Sequence, residues 1–188
     1  MNSAGSVAGR ERPRLFCALV LPADVTGRLA TWQREAFGGA RDVRIVPRGN
    51  LHITLAFLGP RPADDVPRVA EALGAAAAAA RPPVLSAVRY RETRSVGMLV
   101  LSDDEGRASA FAVDLHARLE RAGLYTPEAR QWLPHLTVLR FRRPPRLAPE
   151  PPDFGSIVPS EAAVYHSLLR RSGAQYEIVE SVALGGSG

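Results

Sequence analysis

Lysine is absent from this chain of 188 residues: all 24 basic side chains are arginine, set against 19 acidic ones for a net charge of +5. Arginine-only usage follows from a GC-rich coding bias as readily as from chemistry, but guanidinium groups bind phosphate as bidentate forks and stack on bases. Cysteine is nearly absent too. Cys17, alone inside "LFCALVL", excludes a disulfide framework or a cysteine-based metal site and reads as a small apolar core residue. No stretch approaches the ~18 apolar residues needed to cross a bilayer, and the first twelve residues, "MNSAGSVAGRER", lack the apolar core of a signal peptide. The expectation is a cytoplasmic monomer with no membrane partner. Residues 1–12 and the final "GGSG" (185–188) read as flexible tails around one domain over 13–184. No serine or cysteine stands in a recognisable nucleophile elbow.

What is present is an alternation of short apolar runs and helical stripes in a chain that is 46% hydrophobic, enough to bury a core. Arg14–Leu21, Val43–Val46, Leu51–Leu58, Val84–Val88, Met98–Leu101 and Leu133–Phe141 read as strands, and Ala162–Leu169 with Gln175–Val182 as a hairpin around "RRSG". Helices are expected over about 23–37, 64–81 (with six consecutive alanines) and 107–122, the last closed by Gly123. Pro144–Pro152 reads as a surface connection. The class is α+β.

Two of these strands carry the same polar insertion: "NLHITLAFLG" (50–59) and "PHLTVLRF" (134–141) both contain His, apolar, Thr, apolar. Each is preceded by "LVL" and a helix, with Leu-to-His separations of 31 and 34 residues. A strand, helix, strand unit repeated in this way implies two lobes facing each other across a cleft. One His-x-Thr is weak evidence; two in equivalent frames make a site.

Alternation along a strand places His52 and Thr54 opposite the aliphatic face of Leu51, Ile53, Leu55 and Phe57. In the second strand it places His135, Thr137 and Leu139 opposite Leu136 and Val138, and turns Arg140 away from His135. Paired imidazoles flanked by hydroxyl donors suit a phosphodiester. One neutral histidine takes a proton, one charged histidine gives a proton to the leaving oxygen, and the threonines hold non-bridging oxygens, with no metal or cofactor. A histidine pKa near ~6.5 lets both forms coexist at neutrality, so a bell-shaped pH dependence of a coupled pair is expected. Which histidine is acid and which base is open at this level. A zinc site lacks partner ligands at helical spacing; His116 reads as a surface residue and His166 as structural.

These residues, with "RLFCALVLP" and "VYHSLLRRSGAQYEIV", make the chain resemble the two-histidine phosphoesterase superfamily, and within it the RNA 2′,3′-cyclic phosphodiesterases long called 2′-5′ RNA ligases, over about 13–184. The resemblance implies a bilobal α+β fold with two pseudo-twofold-related lobes of antiparallel sheet and helices around a central cleft. It implies an enzyme that opens 2′,3′-cyclic phosphates at RNA ends to 2′-phosphates, with weak reverse 2′-5′ ligation. It makes His52 the proton donor, His135 the proton acceptor, Thr54 and Thr137 the phosphate ligands, and Arg140 a further substrate contact. "RFRRPPR" (140–146) adds guanidinium groups suited to an RNA backbone. Phe57 matches an aromatic of the family, although its parity assigns it to the core. Alternatives are a related hydrolase of ADP-ribose cyclic phosphate or 2′-5′ oligonucleotides, and a nucleotide or RNA-end binding module without turnover.

Overall fold

Apolar residues on both faces of the first strand force it into the interior, and the computed structural model, which describes residues 14–170 and 173–185, places it there. The expected tail 1–12 and residues 186–188 lie outside the described residues. In β1 (Arg14–Val20), Leu15, Cys17 and Leu19 face the main core, whereas Phe16 and Ala18 join a smaller cluster with Ala163 and Tyr165. Burial pushes the Cys17 thiol up to about 12, so it stays protonated and packs as a hydrophobe. Helix α1 (Ala23–Phe37) buries Val25, Leu29, Gln33 and Phe37, a stripe at four-residue spacing. β2 (Val43–Ile45), a 3-10 turn (Arg48–Asn50) and β3 (Ile53–Pro60) follow.

Helix α2 (Val66–Ala79) takes the alanine run and buries Val69, Leu73, Ala76 and Ala77. β4 (Ser86–Glu92) and β5 (Val96–Ser102) lead to α3 (Arg107–Arg121), which buries Ala108, Phe111, Ala112, Leu115 and Leu119. The Asp103 carboxylate accepts from the first-turn amides of Ala108 and Ser109 at 3.1 and 2.8 Å, satisfying donors that the helix itself cannot. β6 (His135–Phe141), β7 (Glu161–Arg170) and β8 (Gly173–Ala183) complete the order. No helix among the described residues is long and apolar enough to cross a membrane.

The strands form two antiparallel sheets of four, ordered β3-β1-β7-β8 and β2-β6-β5-β4. The repeated unit is real in the fold, since β1 pairs with β3 across α1 and β5 pairs with β6 across α3, both antiparallel. The halves are interlocked rather than separate. β2 leaves the first half to pair with β6, and the β7–β8 hairpin returns to β1. The proline-rich segment after β6 has no regular structure but is fastened to α1, with Trp32 Nε1 donating to the Glu150 carbonyl at 3.1 Å and Arg28 to that of Phe154 at 3.1 Å.

Each motif strand carries an extra residue immediately after its threonine. In β3, Thr54 pairs with Ala18 and Ala56 with Cys17, so Leu55 has no partner; in β6, Thr137 pairs with Met98 and Leu139 with Gly97, so Val138 has none. A bulge of this kind resets the alternation. Leu55 and Ala56 are consequently both buried, as are Val138 and Leu139, and the next residue turns outward in each strand. Two expectations from strict alternation are thereby corrected. Phe57 is 53% exposed instead of in the core, opposite Phe16 on the face of Thr54. Arg140 lies on the same face as His135 and Thr137, and Leu139 belongs to the core.

Candidate active site

The two histidines are presented by the same local device. His52 follows the Arg48–Asn50 turn just before β3, and its Nδ1–H donates to the Asn50 carbonyl, two residues back, at 2.8 Å. His135 opens β6, and its Nδ1–H donates to the Leu133 carbonyl, also two residues back, at 2.9 Å. These bonds assign the Nδ1–H tautomer in both rings and leave Nε2 as the nitrogen that exchanges protons. His52 Nε2 accepts from the Thr54 hydroxyl at 3.0 Å. The Asn50 amide donates to the Ala174 carbonyl of β8 at 2.7 Å, so the residue that holds His52 is itself anchored.

Their surroundings differ. His52 lies against Phe16 (ring centroids 4.8 Å apart), Tyr165 (5.9 Å) and the edge of Tyr176 (5.3 Å). Removal from water, joined by the charges of His135 and Arg140, pushes His52 down to about 4 against the opposing pull of the Asn50 carbonyl, so it is neutral at neutral pH. His135 is more open to solvent, on a strand end whose Leu133 is exposed.

A pocket of about 80 Å³ gathers His52, Thr137, Arg140, Arg44, Asn50 and Tyr176. His52, Thr137 and Arg140 thus line one cavity, Thr54 joins through its bond to His52, and His135 stands two residues from Thr137 close enough for its charge to act on His52. Arg44, opposite Arg140 across the β2–β6 pair, together with Asn50 and Tyr176, escaped the sequence reading, and Phe57, matched to a family aromatic there, was assigned to the core. Asn50 immediately precedes the first motif, a signal that could have found it; the others depend on register and bulges.

Two further polar side chains hold the bulges. His116, expected on the surface, is half-buried, stacks on Tyr125 (4.7 Å) and donates from Nε2 to the Leu55 carbonyl at 2.7 Å. Gln33, 1% exposed, donates to the carbonyls of Val138 at 2.7 Å and Val46 at 3.1 Å. Trp132 Nε1 donates to the Thr54 carbonyl at 3.0 Å. His166 lies opposite Leu15, a main-core residue, and so points away from the Phe16 face.

Two antiparallel sheets, a pair of imidazoles each anchored to the carbonyl two residues back, and a pocket that His52 lines with Thr137 and Arg140 match the arrangement of a two-histidine phosphoesterase. The family model described as LigT like Phosphoesterase matches residues 19–93. The chain is 30% identical over 185 residues to the RNA 2′,3′-cyclic phosphodiesterase of Thermus thermophilus, covering 92% of this chain and 91% of that one. It is 28% identical over 179 residues to the protein of the same name from Escherichia coli, covering 93% and 98%. The crystal structure of E. coli LigT complexed with 3′-AMP superimposes with a TM-score of 0.79 at 26% identity, covering 93% of this chain and 99% of that one. This chain belongs to the LigT like phosphoesterase family.

Proposed function

We propose that this protein hydrolyses 2′,3′-cyclic phosphates at RNA or nucleotide ends to 2′-phosphates. The observation that carries this reading is the matched pair of Nδ1–carbonyl bonds, which leaves both Nε2 atoms available for proton transfer, that of His52 beside a pocket lined by Thr137, Arg140 and Arg44. The names of the T. thermophilus and E. coli relatives support the substrate, and the 3′-AMP complex of E. coli LigT supports a nucleotide ligand. His135 takes a proton from water as its oxygen adds to phosphorus. The bond from phosphorus to the 3′-oxygen breaks, and His52 gives that oxygen its proton, leaving a 3′-hydroxyl and a 2′-phosphate. Thr54, Thr137 and Arg140 hold the non-bridging oxygens. Phe57, three residues after Thr54 as Arg140 is after Thr137, offers a base an exposed ring on the cleft face.

The donor role requires the charge of the substrate to raise the proton affinity that burial lowers in His52. A phosphate charge ~4 Å away at an effective dielectric of ~20 is worth about 4 kcal/mol, or about three pKa units, enough to offset the lowering to about 4. The neutrality of His52 favours one second reading, in which His52 is the base and His135 the acid. The weak reverse reaction, joining ends through a 2′-5′ bond, uses the same groups in the opposite direction. Residues 13–184 act as one bilobal domain, a reading supported by a main core that draws on both sheets. The test is incubation with 2′,3′-cyclic AMP in EDTA: 2′-AMP is expected, and intact substrate, or turnover abolished by the chelator, overturns the proposal.

A further inference from the structure

The repeat contains a third position besides the histidine and the threonine. His52 and His135 stand 83 residues apart, as do Thr54 and Thr137, the unpaired bulge residues Leu55 and Val138, and the outward-turned Phe57 and Arg140. The same interval joins Gln33 of α1 to His116 of α3. Each of these two lies 19 residues before the motif histidine of its own half. Each donates to the bulge carbonyl of the other half: His116 Nε2 to Leu55 at 2.7 Å, and Gln33 Nε2 to Val138 at 2.7 Å. The halves thus brace one another's motif strand reciprocally.

The bulges explain why donors are needed there. An extra residue interrupts the ladder, and a buried carbonyl left without a donor is costly. β3 is an edge strand with β1 on one side only, and Leu55 is buried and has no partner in β1. The donor comes from α3 instead, on a ring held by stacking on Tyr125 at 4.7 Å, while Trp132 Nε1 holds the adjoining Thr54 carbonyl at 3.0 Å. β6 is an interior strand, and the Val138 carbonyl also accepts from the Val46 amide at 3.0 Å. Gln33 adds a second donor to it and ties the Val46 carbonyl at 3.1 Å. Gln33 is itself buried, and its Oε1 meets no donor among the described residues. A leucine there would extend the stripe of Val25, Leu29 and Phe37 without leaving an oxygen unpaired, so the amide carries a cost in the core that its two donor bonds offset.

We propose that His116 and Gln33 are an equivalent pair of positioning residues, which fix the two bulges and, through them, Thr54 and Thr137 and the side chains that the bulges turn toward the cleft. The inference rests on the phosphodiesterase reading and adds to it residues that act only through the backbone. Each bonded carbonyl belongs to the residue that follows a phosphate-binding threonine. A small displacement of that hydroxyl weakens its contact most where the contact is tightest, in the transition state, so kcat is affected more than KM.

The test pairs His116→Phe, which keeps the stacking on Tyr125 and removes the donor, with His116→Gln, which gives α3 the donor that α1 uses. His116→Phe should lower kcat on 2′,3′-cyclic AMP about tenfold with KM little changed, and His116→Gln should recover most of the loss. The nitrogen NMR resonance of His52 Nε2, which reports the bond to Thr54, should move in the Phe variant and return in the Gln variant. Gln33→Leu repeats the test on β6, with the same selective loss of kcat, and decides it if His116→Phe does not fold. Wild-type kcat in a folded Phe or Leu variant, or a Gln variant as impaired as the Phe variant, overturns the inference. Wild-type protein that leaves cyclic AMP intact refutes the phosphodiesterase reading, and the His52 resonance then decides the brace separately: moved in His116→Phe and restored in His116→Gln it sustains the brace, and unmoved it overturns it.

Discussion

His52 and His135 occupy equivalent places in a repeated unit, share the same carbonyl bond through Nδ1, and differ in what packs around them. One is enclosed by Phe16, Tyr165 and Tyr176; the other stands at an open strand end. Repetition supplies the geometry of a pair, and burial lowers the proton affinity of His52. A coupled pair already takes up its protons one at a time, and the enclosure of His52 biases which ring is neutral. The unequal packing is therefore as much a part of the site as the motif.

The comparison breaks most severely when either imidazole is removed. His52→Ala and His135→Ala should each lower kcat/KM on cyclic AMP by ~10² or more. A p-nitrophenyl phosphodiester, whose leaving group needs no proton, then sharpens the contrast: activity returns in the variant that lost the acid and not in the one that lost the base. Recovery in His52→Ala supports the assigned roles; recovery in His135→Ala reverses them.

Removing a hydroxyl has a smaller effect. Thr137→Val should cost ~10² in kcat, the order seen for one donor to a developing charge. Thr54→Val also releases His52 Nε2 from its 3.0 Å partner, so its pH profile should shift where that of Thr137→Val does not. Opening the enclosure of His52 moves affinity rather than chemistry. Tyr176→Ala should raise the His52 pKa from about 4 toward its ordinary value, readable by NMR titration of the ring.

The smallest effect is on stability. The folded protein disfavours charged His52, so the unfolded chain binds more protons between about pH 4 and ~6.5 and folding stability should rise with pH across that window. Chemical denaturation at pH 4.5 and 7 measures it. His52→Gln should flatten that part of the rise, and an unchanged dependence would show that His52 is not enclosed as described.

The repeat and its His-x-Thr content were legible in the sequence because period-two alternation and the helical stripes are local signals. The bulges were not. "TLAFLG" and "TVLRF" contain no proline or glycine at the extra residue to betray it, and only the partner strands β1 and β5 reveal that Leu55 and Val138 are unmatched. Counting by twos consequently sent Phe57 inward and Arg140 away from the cleft. The enclosure of His52 was equally hidden, since Phe16, Tyr165 and Tyr176 come from three strands far apart in sequence, brought together by the return of the β7–β8 hairpin to β1. His116 looked like a surface residue because the acceptor it serves exists only once the bulge has formed.

The central claim, that two unequal imidazoles act as acid and base on one cyclic phosphate, is tested most directly by the pH dependence of kcat/KM for 2′,3′-cyclic AMP in the wild-type protein, with the product identified at each pH. A bell with one limb rising and one falling, and 2′-AMP as the product throughout, is the predicted result; a flat profile, or 3′-AMP as the product, would contradict it.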